Sequence, residues 1–163
     1  MQVSKLLPTF VLFIQNKVHI KSNQKPTTMG LDIFFYKRNR VADKEFYNTE
    51  EGRDSYVELA YFRKVNFLVS FFNEFYDYEN CEDLVISNDD LEHLLERCRK
   101  VLSAKDTKTS METLPTTEGF FFGSNDYDEY YYHDVECVIN AIENDIRPNY
   151  DEGIEELIFH IWY

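Results

Sequence analysis

Alternating apolar positions predict two β-strands, one near residue 30 and one at the end of the chain. The stretch LDIFFYKR, which begins at Leu31, carries an apolar residue at every second position, the period of a half-buried strand. The closing stretch IEELIFHIWY repeats this alternation up to Trp162. These patterns predict strands over residues 31–37 and 156–162, and a shorter strand is indicated over residues 83–87.

The sequence GFFFG predicts a further strand over residues 119–122. Its alternation would place Phe120 and Phe122 on one side and Phe121 on the other, so that both faces would need cover.

A first helix is predicted over residues 56–78, where most positions are apolar or aromatic. Its polar positions recur at steps of three and four and form one narrow stripe. We interpret the stripe as a solvated edge, and a groove that binds a ligand is the alternative. The stripe consists of Arg63, Asn66, Ser70, Asn73 and Asp77.

Two more helices are predicted from capping signals and apolar periodicity. Ser87 and Asp90 have the spacing of a capping box ahead of a helix that runs to about residue 103. Asp126 and Glu129 have the same spacing ahead of a helix over residues 126–147, which Pro148 ends. The polar segments 39–55 and 104–118 are predicted loops.

These elements predict an α+β fold, with a small antiparallel sheet of three or four strands and three helices packed on one face. One domain over residues 29–163 fits the length of 163 residues and the 44% hydrophobic content. His160 falls among the aromatic residues of the last strand, so we expect it to be a structural histidine.

The charge is strongly acidic once the first 28 residues are set apart. The whole chain has a net charge of −13, but four of its 17 basic residues and none of its 30 acidic ones lie in residues 1–28. The remainder therefore carries a net charge of −17. This balance argues against direct nucleic-acid binding, which needs clustered Lys and Arg, and suits either a basic partner or simply solubility.

The remaining composition points to the cytoplasm and to no cofactor. Cys81, Cys98 and Cys137 form no CxxC pair, which indicates neither a disulfide framework nor a zinc site. The apolar run over residues 6–14 is too short to span a bilayer, so no membrane association is expected. Composition changes abruptly at Met29, and we expect residues 1–28 to be an upstream extension that is disordered or loosely packed.

The acidic residues after GFFFG have two interpretations. Helix capping and the helix dipole account for acidic residues at the start of a helix. A metal site is the alternative, because these side chains offer oxygen and nitrogen ligands, although they match neither a calcium loop nor a zinc helix. The candidate ligands are Asp126, Asp128, Glu129 and His133.

Three motifs together resemble a group of small uncharacterised proteins of tailed bacteriophages, prophages and other bacterial mobile elements. They are MGLDIFFYKR, ELAYFRKVNFL from Glu58, and LPTTEGFFFGSNDYDEYYYHD from Leu114. The resemblance covers most of residues 29–163 and implies Met29 as the start and a bacterial host cell as the setting. It implies no activity, so no functional residue is carried over from it.

Two functions from different classes follow as hypotheses. The first is a non-enzymatic accessory protein that binds a host or phage protein through its acidic surface, in a salt-dependent way. Mimicry of nucleic acid would be a special case of it. The second is a small-molecule or nucleotide binder, which could be an enzyme, with a pocket near Arg63, Lys64 and Asn66. This pocket would also use Asp32, Tyr61 and Tyr127.

Overall fold

The computed structural model describes residues 29–163, and the expectations for residues 1–28 lie outside the described residues. Four antiparallel strands form one sheet in the order β2-β1-β4-β3. The strands are β1 (Asp32–Asn39), β2 (Val57–Arg63), β3 (Asp83–Ile86) and β4 (Glu155–Trp162). The α+β class is therefore confirmed, and the strands predicted at both ends and over residues 83–87 are present.

Residues 29–163 contain five α-helices, where three were predicted. They are α1 (Glu50–Asp54), α2 (Phe67–Asn73), α3 (Asn88–Ala104), α4 (Thr107–Thr113) and α5 (Glu129–Ala141). Helix α5 continues through a π-helical turn, Ile142–Ile146. The short helices α1 and α4, and the 3-10 turn Lys44–Asn48, lie in the segments predicted to be loops.

One apolar cluster joins the sheet to the helices. The alternation predicted for β1 and β4 is observed, since Ile33, Phe35 and Phe159 are fully buried. Helices α2, α3 and α5 contribute Phe72, Leu95 and other buried side chains to the same cluster. The capping box of Ser87 and Asp90 at the start of α3 is present as predicted. No helix in residues 29–163 is long and apolar enough to cross a membrane.

The helix predicted over residues 56–78 is wrong at both ends, because only α2, Phe67–Asn73, is helical. Residues Val57–Arg63 form β2, an edge strand that pairs with β1 from Asp32↔Arg63 to Lys37↔Val57. Lys64 then adopts a positive φ of 61°, which ends the strand and turns the chain into α2. The backbone groups that β1 offers for pairing explain the strand, because short apolar windows fit either period and long-range pairing decides between them.

The strand predicted at GFFFG is also wrong, because these residues form a turn. Phe122 N–H donates to the Gly119 carbonyl at 3.1 Å, and the bond from Leu31 N–H to the Phe121 carbonyl, at 2.9 Å, ties the turn to the start of β1. Phe120 is 96% exposed whereas Phe122 is buried, so they do not share a covered side.

The start of α5 lies two residues later than predicted. The Asp128 carboxylate accepts hydrogen bonds from the N–H groups of Tyr130 and Tyr131, at 3.0 and 3.1 Å, so Asp128 is the N-cap. Asp126 instead bonds to Ser124 within the preceding loop, at 3.0 Å. Acidic residues in this stretch therefore act as caps, as the capping interpretation expected, but from a different position.

Candidate functional site

A concave site within residues 29–163 lies against the sheet face opposite the buried core, and we call it the sheet-face cleft. Its volume is about 1200 Å³. Alternation turns Tyr36 and Arg38 of β1 away from the side that carries Phe35, and His160 of β4 away from Phe159. The other wall comes from the 3-10 turn, α1, the two residues before β3 and β3 itself. Residues that line the cleft include Tyr36, Arg38, Tyr47, Tyr56, Asp83 and His160.

Arg38 holds this face together through a network of ion pairs and hydrogen bonds. Arg38 is only 7% exposed, and its guanidinium donates from Nε to Glu156 Oε2 at 3.0 Å and from Nη1 to Asp83 Oδ2 at 3.1 Å. Nη1 also contacts the Tyr56 hydroxyl, and Lys44 binds the second oxygen of Glu156. Each buried charge in the network therefore has an opposite charge beside it, which is what burial of ions requires.

The two carboxylates of the network stay ionised at neutral pH. Burial by itself would raise the pKa of Asp83, but hydrogen bonds from His160 and Tyr56 and the charge of Arg38 outweigh it, and the pKa lies below its usual value. Glu156 follows the same pattern, since burial is outweighed by Lys44 and Arg38 and its pKa is also lowered. An ionised Asp83 can only accept hydrogen bonds.

Asp83 and His160 form a pair that fixes the tautomer of the imidazole. His160 Nδ1 lies 2.9 Å from Asp83 Oδ1, across the register that pairs these two residues in β3 and β4. Because the carboxylate accepts, Nδ1 must carry the proton, and in the neutral ring Nε2 then has a free lone pair. Nε2 makes no hydrogen bond within residues 29–163, so this acceptor is available to a molecule in the cleft.

Aromatic rings form much of the remaining cleft surface. The Arg38 guanidinium lies 3.7 Å from the centre of the Tyr47 ring and 5.2 Å from that of Tyr56, which are cation–π distances. His160 lies 6.3 Å from the rings of Phe34 and Tyr36, so the expected aromatic surroundings are observed, together with the unforeseen Asp83 partner. Burial raises the pKa of Tyr56 to about 12, with Asp83 as the next cause, so its phenol stays protonated.

The pocket predicted near Arg63, Lys64 and Asn66 exists, but it is small. These three residues line a cavity of about 230 Å³ with Asp126 and Asp128. The Asn66 amide donates to the carbonyl oxygens of Phe122 and Ser124, at 3.2 and 2.9 Å, and so ties the start of α2 to the turn that follows GFFFG. Most of the donor capacity of this amide is thus used within the protein.

The other three predicted ligand-binding residues do not line that cavity. Asp32 is fully buried and accepts a hydrogen bond from the Tyr61 hydroxyl, with Arg63 4.0 Å away. The Tyr127 hydroxyl contacts Thr116, accepting from its backbone N–H at 3.1 Å. These contacts tie β1 to β2 and the loop before α5 to the loop after α4.

The candidate metal ligands are not brought together. Asp128 caps α5, Asp126 contacts Ser124, and His133 Nε2 lies 3.6 Å from Cys137 Sγ on the exposed side of the helix. In the part of the chain that the structure describes, no group of three His, Cys, Asp or Glu side chains could hold a metal ion.

The sheet-face cleft was not foreseen from the sequence. Its residues come from four separate segments, and only the pairing of β4 with both β1 and β3 brings them together. One signal was present: Tyr36 and Arg38 occupy the non-core positions of a strand whose other side is apolar, and a buried arginine needs a carboxylate partner.

Comparison with known proteins gives no relatives. No family model, no curated protein and no solved structure matches the chain. The function must therefore be argued from the site alone.

Proposed function

We propose that the protein binds a small polar molecule in the sheet-face cleft, with His160 Nε2 as a hydrogen-bond acceptor for it. The observation that carries this proposal is the 2.9 Å contact between His160 Nδ1 and Asp83 Oδ1 at the wall of a cleft of about 1200 Å³. A partner on Nδ1 leaves the second ring nitrogen without one, and such a half-used side chain is typical of binding and catalytic sites.

The size and lining of the cleft also support small-molecule binding. Ligand sites commonly enclose about 300–1,000 Å³ and combine aromatic walls with a few fixed polar groups. The sheet-face cleft exceeds this range slightly, with a volume of about 1200 Å³, whereas the cavity near Arg63 falls below it, with about 230 Å³. The Arg38 network holds the polar groups in place before any ligand arrives, which lowers the entropic cost of binding.

A fragment screen of the full chain by ¹H–¹⁵N correlation spectroscopy tests the proposal. Val85 lies in β3, is 44% exposed and lines the cleft, so Val85→Trp should obstruct the part of the cleft beside β3. Val57 lies in β2, is 43% exposed and is not among the residues that line the cleft, so Val57→Trp is the matched control. Both residues sit on edge strands, where a tryptophan is tolerated.

We expect some fragments to shift amide signals of β3, β4 and the 3-10 turn in the wild-type protein. The same shifts should persist in Val57→Trp and be lost in Val85→Trp. Fragments that shift only signals elsewhere, or shifts that survive in Val85→Trp, would refute binding in this cleft.

Binding of a basic protein partner is the second candidate. Phe120 favours this candidate, because its side chain is 96% exposed and lies two positions after the exposed Glu118. An exposed aromatic residue near an acidic one suits a protein contact. The three free cysteines, Cys81, Cys98 and Cys137, suit a reducing cytoplasm as its setting.

Affinity capture with the wild-type protein and with Phe120→Ser, at low and high salt, tests this second candidate. A basic protein that is lost at high salt and with Phe120→Ser would support it. Capture that is indifferent to both changes would contradict it.

A further inference from the structure

We infer that the ligand of the sheet-face cleft is a small organic cation that carries N–H donors, such as a primary ammonium compound. This inference rests on the proposed binding of a small molecule in the cleft, and it names the class of that molecule. Three features of the cleft support it: the free hydrogen-bonding atoms can accept, the most buried cation and Lys44 are already paired with carboxylates, and the unpaired charges are mostly negative.

The polar atoms of the cleft that lack hydrogen-bond partners favour a ligand with hydrogen-bond donors. His160 Nε2 accepts a hydrogen bond as long as the ring is neutral, because Asp83 holds the proton on Nδ1. The Tyr36 hydroxyl also lines the cleft and makes no hydrogen bond within residues 29–163. A phenol can accept as well as donate, so an ammonium group suits either atom, whereas a carboxylate cannot satisfy the lone pair of His160.

Two of the three Lys and Arg side chains at the cleft are paired with carboxylates of the protein. Arg38 is held by Glu156 and Asp83, and Lys44 by the other oxygen of Glu156. An anionic ligand would have to compete with these carboxylates for both cations. The stacking of Arg38 on Tyr47 shows in addition that the aromatic surface of this site already accommodates a cation.

The charges that remain at the rim are predominantly negative. Glu50, Asp54 and Glu82 are exposed and line the cleft, and none of them forms an ion pair within residues 29–163. Arg53 is the remaining cleft cation, and its guanidinium donates to the Asn48 carbonyl at 2.7 Å. The net charge of −17 over residues 29–163 adds a long-range attraction for cations.

Three probes that share one phenol ring test the inference on the full chain. Tyramine is the cation, N-acetyltyramine is its neutral amide derivative, and 3-(4-hydroxyphenyl)propionate is an anion of similar size. Each would be titrated by isothermal calorimetry, with ¹H–¹⁵N spectra to locate the shifts. We expect tyramine to bind in the cleft at least fivefold more tightly than N-acetyltyramine and the anion to be the weakest.

Charge variants separate the cleft from the general acidity of the protein. The double variant Glu50→Gln/Asp54→Asn should weaken the binding of tyramine at least threefold and leave the affinity for N-acetyltyramine unchanged. The matched control Glu129→Gln/Asp126→Asn removes two exposed charges at the start of α5, outside the cleft, and should change neither probe.

The outcomes distinguish the ligand class from the binding proposal. If the neutral or anionic probe shifts the cleft signals as strongly as tyramine, the cation class is refuted and small-molecule binding stands. If none of the three probes shifts the cleft signals, both are refuted. Equal losses from the cleft variant and the control variant would refute the role assigned to the rim.

Discussion

Replacing Arg38 with methionine tests how the cleft is held in shape. The change keeps an unbranched side chain of similar length but removes the guanidinium. Glu156, which is 4% exposed, then loses its most buried partner and keeps only Lys44. Asp83 loses one of three partners and keeps His160 and Tyr56.

We expect Arg38→Met to lower the free energy of unfolding by about 3 kcal/mol. Removing one partner of a buried ion pair costs about 3–5 kcal/mol, because the remaining charge is left uncompensated. The lower end applies here since Lys44 still compensates Glu156. An exposed pair of this kind contributes at most about 1 kcal/mol, so Arg99→Met, which breaks the exposed pair with Glu143, is the control.

Urea denaturation followed by the fluorescence of Trp162, the only tryptophan, measures the difference. The double variant Arg38→Met/Glu156→Leu should recover most of the loss, because replacing both partners of a buried pair with apolar residues is often neutral. A loss with Arg38→Met no larger than that with Arg99→Met would refute the importance of the network.

The ion pair between Arg38 and Glu156 gives the free energy of unfolding a pH dependence with a defined sign. Although burial opposes it, Lys44 and Arg38 hold the pKa of Glu156 below its usual value, so Glu156 stabilises the fold at pH values above its unfolded pKa, near 4.3. That contribution is lost as the pH falls through the folded pKa. The loss of stability caused by Arg38→Met should therefore narrow as the pH falls below the unfolded pKa of Glu156. A loss that widens on acidification would contradict this assignment.

Three further predictions concern packing, backbone conformation and thiol reactivity. Phe72→Ala should cost about 3–5 kcal/mol in urea unfolding, because its ring is fully buried in the core, whereas Phe120→Ala should change stability by less than about 0.5 kcal/mol. Gly123→Ala should destabilise by about 1–2 kcal/mol, because Gly123 has a φ of +93° and an added Cβ would lie 3.1 Å from Lys64 Cβ; a neutral result would show that the turn can shift. Burial raises the pKa of the Cys98 thiol to about 12, so it should react with a thiol reagent only on unfolding, whereas the exposed Cys81 should react in the folded protein.

The elements that depend on local signals were predictable from the sequence. Alternation of apolar residues predicts strands β1 and β4, and the capping box of Ser87 and Asp90 predicts the start of α3. The helix prediction for residues 57–63 was wrong because this segment pairs with β1, and that non-local pairing overrides a pattern that also fits a helix. The strand prediction at GFFFG was wrong for a similar reason, since tertiary contacts decide that Phe122 is buried and the alternation of the sequence does not.

The candidate site was predictable only in part. Arg63, Lys64 and Asn66 do meet at a common cavity because they follow one another at the junction of β2 and α2. Asp83 and His160 are 77 residues apart, and only the register of β3 against β4 places them side by side. A single sequence carries no signal for such a register, so the cleft required the structure.

The protonation of His160, read from ¹⁵N signals of its imidazole, tests the central claim most directly. A sample labelled on histidine, with His160→Gln to assign the signals, would report which nitrogen carries the proton in the neutral form of the ring. The account predicts a protonated Nδ1, an unprotonated Nε2, and a shift of the Nε2 signal on addition of tyramine. A proton on Nε2, or an Nε2 signal that does not move at saturating tyramine, would contradict it.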